Sequence, residues 1–185
     1  MEADDLTFHY VSTHDEAFEL IRKHSEFWVS NCGCRERRGW CDRSRLDLCL
    51  FFKPDMGGTG SEFRKVDREF AYGIFEEAKR KRLVTRPFRD EIDMKETQGI
   101  CFCCDDCCDY FTNPEAEGCD RGRFIERTDL AECNHCGDCV NVCYFNAREM
   151  TEEGLHLNTD RCYGCGLCAS VCPVDCIRMN LREEP

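Results

Sequence analysis

Cys133-Asn134-His135-Cys136-Gly137-Asp138-Cys139-Val140-Asn141-Val142-Cys143 and Cys162-Tyr163-Gly164-Cys165-Gly166-Leu167-Cys168-Ala169-Ser170-Val171-Cys172-Pro173 are two copies of one pattern. Both read C-x2-C-x2-C-x3-C, and the copies are offset by 29 residues. Three thiols at this spacing let a tight loop wrap one face of a polynuclear metal group. Gly137, Gly164 and Gly166 relieve crowding there and leave backbone N–H groups free to point at sulfur. The fourth Cys of each copy falls on a short helix pointing away, so it reaches the group held by the other copy. That crossing ties the halves together, and a segment with little apolar core can then fold around metal. Zinc sites favour separated Cys pairs, not three thiols at x2 spacing twice over.

Composition agrees with metal. Cysteine is 19 of 185 residues, a density that in a short secreted chain would mean disulfides. Three features argue against secretion. Met1-Glu2-Ala3-Asp4-Asp5 is acidic where a signal peptide is basic, then apolar. The longest purely apolar run, Leu48-Cys49-Leu50-Phe51-Phe52, is too short to enter a membrane. An odd cysteine count leaves one thiol without an intramolecular partner. Metal ligation in a reducing cytoplasm is the expectation. The net charge is −12, and residues 125–185 carry −6 of it, from 5 Arg and 11 Asp plus Glu. Such a chain is a poor nucleic-acid binder and is suited to basic patches on other proteins.

With those motifs in view, residues 125–180 resemble a bacterial-type ferredoxin domain with two [4Fe-4S] clusters. The resemblance implies that Cys133, Cys136, Cys139 and Cys172 hold one cluster, and Cys162, Cys165, Cys168 and Cys143 the other. Tyr144 departs from the family's Pro after the fourth Cys, whereas Pro173 keeps it. That departure is expected to alter the local turn, not the ligation. Cys176 reads as a core thiol. His156, in an alternating Leu155-His156-Leu157-Asn158, reads as a solvent-facing strand residue, and His135 as exposed.

The polar stretch Thr112-Asn113-Pro114-Glu115-Ala116-Glu117-Gly118 suggests a boundary. We expect a cysteine-rich metal-binding domain at 1–118 and the two-cluster domain at 119–185, an α+β protein whose N-terminal part is mainly helical. Thr13 and Glu16 form a capping box, and Phe18, Ile21, Ser25 and Trp28 follow at helical spacing, predicting a helix to about Val29. That helix delivers Cys32 and Cys34 into a loop. Asp67 caps a second helix with the stripe Phe70, Ala71, Ile74, Phe75 and Ala78, ending near Lys81 before a short strand at 82–86. Asp55-Met56-Gly57-Gly58-Thr59-Gly60 reads as a flexible loop, not a phosphate loop, since no Gly-Lys-Ser/Thr follows.

Nine cysteines precede the boundary apart from the repeat: Cys32, Cys34, Cys41, Cys49, Cys101, Cys103, Cys104, Cys107 and Cys108. Cys119 stands alone after it. The segments Cys32 to Arg35, Cys41, Cys49, Phe70 to Val84 and Cys101 to Cys108 resemble the cysteine-rich region of ferredoxin-like electron-transfer proteins of anaerobes. Asp105-Asp106 interrupts what is normally a denser cysteine run. All nine are candidate ligands of a third [4Fe-4S] cluster, with zinc or a larger non-cubane cluster as alternatives. Ligands drawn from both groups are favoured. Arg35, Arg37 and Arg38, and separately Lys79-Arg80-Lys81-Arg82, are basic islands that solvate helix ends or dock an acidic partner.

These readings converge on an electron-transfer protein without catalytic residues of its own. Its expected partner is a larger anaerobic oxidoreductase of flavin, molybdenum, tungsten or corrinoid type. The competing readings are a redox- or oxygen-sensing regulator, and a stand-alone enzyme using an N-terminal cluster.

Overall fold

The computed structural model describes residues 6–54, 58–113, 115–116 and 118–183. The acidic Met1–Asp5 stretch and residues 55–57 of the glycine-rich loop lie outside them. In chain order the elements are α1 (His14–Lys23), β1 (Phe27–Ser30), α2 (Gly33–Arg38), β2 (Cys49–Phe51), β3 (Arg64–Val66), α3 (Arg68–Arg80), β4 (Val84–Arg89), β5 (Thr97–Cys103) and α4 (Asp109–Thr112). There follow β6 (Phe124–Thr128), α5 (Asp138–Asn141), β7 (Arg148–Thr151), β8 (Gly154–Leu157), α6 (Leu167–Ser170) and β9 (Ile177–Leu181).

The N-terminal region is not mainly helical. Its frame is an antiparallel sheet of order β3-β1-β2-β5-β4. The helix expected to reach Val29 stops at Lys23, and Phe27–Ser30 is a strand paired with β2 on one side and β3 on the other. Period-2 alternation wins there. Phe27 and Val29 enter the core under the helices, while Trp28 faces the opposite side. The capping box at Thr13 and Glu16 is present, as is the Asp67 cap, whose carboxylate accepts from Phe70 N–H at 2.8 Å. Ala71, Ile74, Phe75 and Ala78 of α3 are buried, and with Ala17 and Ile21 of α1 they cover one sheet face.

Among the described residues, the other sheet face carries no helix layer of comparable length. It holds Cys49, Phe51, Phe88, Cys101, Cys103 and Cys108, bordered by Cys32, Cys34, Tyr110 and Phe111. Strand parity does this sorting. On β5, Ile100 and Phe102 point to the helices, and Cys101 and Cys103 point away.

The C-terminal region consists of two β-hairpin-like pairs, β6–β9 and β7–β8, with α5 and α6 between them. Gly137 and Gly166 cap α5 and α6 in the left-handed region, at φ 81° and 76°. Gly164 (φ 79°) also packs so closely on the Phe124 carbonyl that a Cβ would collide with it. The two regions share a buried core of Val11, Val84, Cys119, Val142, Phe145 and Leu167. Residues 9–12 bridge to β4 on one side and to Asp120 on the other. Arg89 and Asp120, both largely buried, close this seam with an ion pair at 2.8 Å.

Thr13→Ala removes the cap of α1 and is expected to destabilise the protein by about 1 kcal/mol, whereas Thr13→Ser retains most of it. Thermal unfolding under argon checks the difference.

Candidate iron–sulfur and thiolate centres

The repeat cysteines gather as two sets. Cys133, Cys136, Cys139 and Cys172 line one cavity together with Cys176. Cys143, Cys162, Cys165 and Cys168 line the other, with Phe145 and Tyr163. In each set three residues come from one copy and the fourth from the other, because Cys143 follows α5 and Cys172 follows α6. Cys176 is buried, and its Sγ lies 3.5 Å from that of Cys172. His156 and His135 are exposed. Burial pushes the Cys143, Cys165 and Cys168 thiols up, Cys168 to about 12.

Arg148 sits among these sulfurs. It is buried, pairs with the buried carboxylate of Glu126, and lies beside Cys139 and Cys168. Its Nη1 has no hydrogen-bond partner. A buried guanidinium with a free N–H against thiols fits a bound anionic group, since an unpaired buried donor otherwise costs free energy. The donor set and this orphaned N–H both fit iron–sulfur clusters.

The family of 4Fe-4S dicluster domains matches residues 126–179. Residues 126–179 are a ferredoxin-type 4Fe-4S dicluster domain. Its relatives include a tetrathionate reductase subunit of Archaeoglobus fulgidus, 52% identical over 44 residues, or 22% of this chain and 21% of that protein. Hydrogenase-4 component A of Escherichia coli is 43% identical over 47 residues, or 24% of this chain and 23% of that protein. A ferredoxin of Rickettsia felis is 41% identical over 60 residues, or 32% of this chain and 54% of that protein. The chain thus spans between a fifth and just over half the length of these curated relatives. The shared part is the iron–sulfur dicluster region at residues 126–179. Among the described residues, no helix is long and apolar enough to cross a membrane.

The nine N-terminal cysteines divide into two groups. Six face one cavity as a ring, with successive sulfur contacts from Cys101 through Cys49, Cys32, Cys34 and Cys108 to Cys103, and with Cys49 and Cys101 at 3.9 Å. They line a cavity of about 360 Å³, which Cys107 of the second group also borders. As bare thiols these six share their protons unequally. Hydrogen bonds from neighbouring sulfurs, with burial, push Cys32, Cys49 and Cys108 up. Contact with Cys108, aided by the Arg86 guanidinium, holds Cys103 down at about 7 against burial. Contacts with Cys108 and Cys32 hold Cys34 well below the usual thiol range. Only some of these sulfurs can ionise together unless cations lie among them.

The other three are Cys41, Cys104 and Cys107. Cys104 and Cys107 leave the sheet beyond the end of β5, where a turn carries them to the helix-covered side.

Four functional features escaped sequence reading. Arg35, in a basic run taken as solvated or docking, is 1% exposed, and its Nη2 donates to the Phe102 carbonyl at 3.0 Å. Arg86 donates to Cys108 at 3.6 Å and Cys103 at 3.8 Å. His9 also lines the cavity, where burial and then Arg86 lower its imidazole to about 3 and keep it neutral. Tyr144 does not alter the turn as expected, since Asn146 and Asp175 take the same φ of 52° after the two fourth cysteines; instead it packs edge-on against Phe111 at 5.9 Å and lies 5.7 Å under Arg43. Arg37 and Arg38, by contrast, pair with Asp109 and Asp106 at the surface.

Arg148→Met leaves Glu126 buried without its partner and is expected to cost about 3–5 kcal/mol. Bleaching of the visible absorbance in anaerobic urea titrations shows it as an earlier transition. Glu126→Leu combined with Arg148→Met recovers part of the loss if the unpaired carboxylate is the cause.

Proposed function

We propose that this chain is the electron-transferring subunit of a larger oxidoreductase, and that it carries a third [4Fe-4S] cluster on its N-terminal ring of thiols. In this reading Cys133, Cys136, Cys139 and Cys172 hold one dicluster site, and Cys143, Cys162, Cys165 and Cys168 the other. The third cluster draws its ligands from Cys32, Cys34, Cys49, Cys101, Cys103 and Cys108. When bound, such clusters exchange single electrons.

The observation that carries the reading is the short aromatic layer between ring and dicluster domain. Arg86, which touches the ring, lies 4.1 Å over the Tyr110 ring. Tyr110 contacts Tyr163 at 6.3 Å and Phe145 at 6.4 Å, and these two stack at 4.5 Å. Phe145 and Tyr163 in turn line the Cys143, Cys162, Cys165 and Cys168 cavity. Tyr110, Phe145 and Tyr163 form a continuous run of ring contacts across the gap. Arg86 offsets part of the negative charge that thiolates bring to the ring.

The names of the relatives support a partner enzyme, since one is a reductase subunit and one a hydrogenase component. The partner would be of flavin, molybdenum, tungsten or corrinoid type. The acidic surface suits docking on a basic patch. The region at 1–118 is then the part that adapts a ferredoxin-type unit to that enzyme.

Iron analysis of the anaerobically purified full chain should give about 12 atoms per chain, three clusters of four. Cys103→Ser with Cys108→Ser should lower it to about 8. About 8 in both proteins would remove the third cluster. An affinity-tagged chain that leaves its native extract without any larger redox enzyme would remove the subunit role.

A further inference from the structure

The sulfurs of Cys41, Cys104 and Cys107 form a closed triangle. Cys41 and Cys107 are 3.3 Å apart, Cys104 and Cys107 3.4 Å, and Cys41 and Cys104 3.6 Å. Among the described residues, they are the one set of three potential ligands whose atoms all lie within 4.8 Å of one another. Neither half of the dicluster domain contains such a triad, nor does the six-thiol ring. The difference has a geometric meaning. Thiolates on a cube are held by separate irons and radiate apart. Thiolates on one tetrahedral ion share its centre, and a metal–sulfur bond of about 2.3 Å puts their sulfurs about 3.8 Å apart.

We propose that Cys41, Cys104 and Cys107 form a separate mononuclear site for a zinc-type divalent ion, distinct from any cluster on the ring. The fourth position falls to a solvent water. The nearby carboxylates are engaged elsewhere: Asp105 pairs with Arg43 at 2.9 Å, and Asp106 pairs with Arg38 and accepts from Asp42 N–H, both at 3.0 Å. Cys41 is partly exposed, whereas Cys104 and Cys107 are buried, so the open side lies towards Cys41. Three thiolates on a divalent ion leave one net negative charge. Arg35 answers it, because its Nη2 lies 3.8 Å from Cys104 Sγ and its Nε and Nη1 have no hydrogen-bond partner.

Binding has a structural consequence. The segment between α2 and β2 contains no helix or strand, and Asp42, Arg43 and Arg38 clamp it to the turn at 105–107. The ion would staple that segment to the end of β5 from the helix-covered side. The three thiols release their protons as the ion enters. The inference does not rest on the third cluster: zinc reports on this site, and iron reports on the ring.

Full-length protein, produced with zinc and iron both supplied and purified anaerobically, should contain about one zinc per chain. Zinc-edge X-ray absorption on the unmutated chain should show three sulfurs at about 2.3 Å and one lighter neighbour. Cys41→Ser, at the partly exposed ligand, should abolish the zinc and leave iron unchanged. Cys49→Ser, in the ring, should leave the zinc in place. Absence of zinc from the unmutated chain, four sulfurs around it, or zinc retained in Cys41→Ser would overturn the proposal. So would loss of iron in step with the Cys41 substitution.

Discussion

Adjacent side chains of a strand face opposite ways, and on β5 this rule separates the chemistry of the N-terminal region. Cys101 and Cys103 fall on the open face, where Cys49 of β2, Cys32 and Cys34 at α2, and Cys108 before α4 complete a ring. Ile100 and Phe102 fall on the covered face and hold α1 and α3 against the sheet. The turn after Cys103 then carries Cys104 and Cys107 to that covered face. A slip of one residue in the register of β5 would exchange the two sets and put thiols into the apolar core.

Charge is balanced locally by buried arginines. Every buried side-chain nitrogen or oxygen without a partner, among the described residues, belongs to Arg35, Arg86 or Arg148. Each lies against sulfur: Arg35 at Cys104, Arg86 at Cys103 and Cys108, Arg148 at Cys139 and Cys168. A guanidinium cannot shed its proton to escape burial, so it is retained where anions are concentrated. The chain has a net charge of −12, yet its interior cations sit at the sulfur sites.

The dicluster domain was legible because its spacing is tied to its chemistry. Thiols at x2 intervals, with glycines at forced left-handed positions, admit few other readings. The α3 stripe was legible for the same reason: Ala71, Ile74, Phe75 and Ala78 fit one period and no other. The end of α1 was not, since Phe18, Ile21, Ser25 and Trp28 satisfy helical spacing while Phe27-Trp28-Val29-Ser30 also alternates. Pairing with β2 and β3 decided between them, and pairing is a property of the assembled sheet. The division of the N-terminal thiols was hidden similarly. Cys103 and Cys104 are neighbours in sequence, yet the strand's end places them on opposite sides. Burial of Arg35 was masked by the exposed Arg37 and Arg38 around it.

The most direct test is diffraction from anaerobically grown crystals, with anomalous maps at the iron and zinc edges. The account predicts iron among Cys133, Cys136, Cys139 and Cys172, iron among Cys143, Cys162, Cys165 and Cys168, and iron inside the six-thiol ring. It predicts a zinc signal without iron between Cys41, Cys104 and Cys107. A ring without iron, or iron at the three-thiol site, would contradict it.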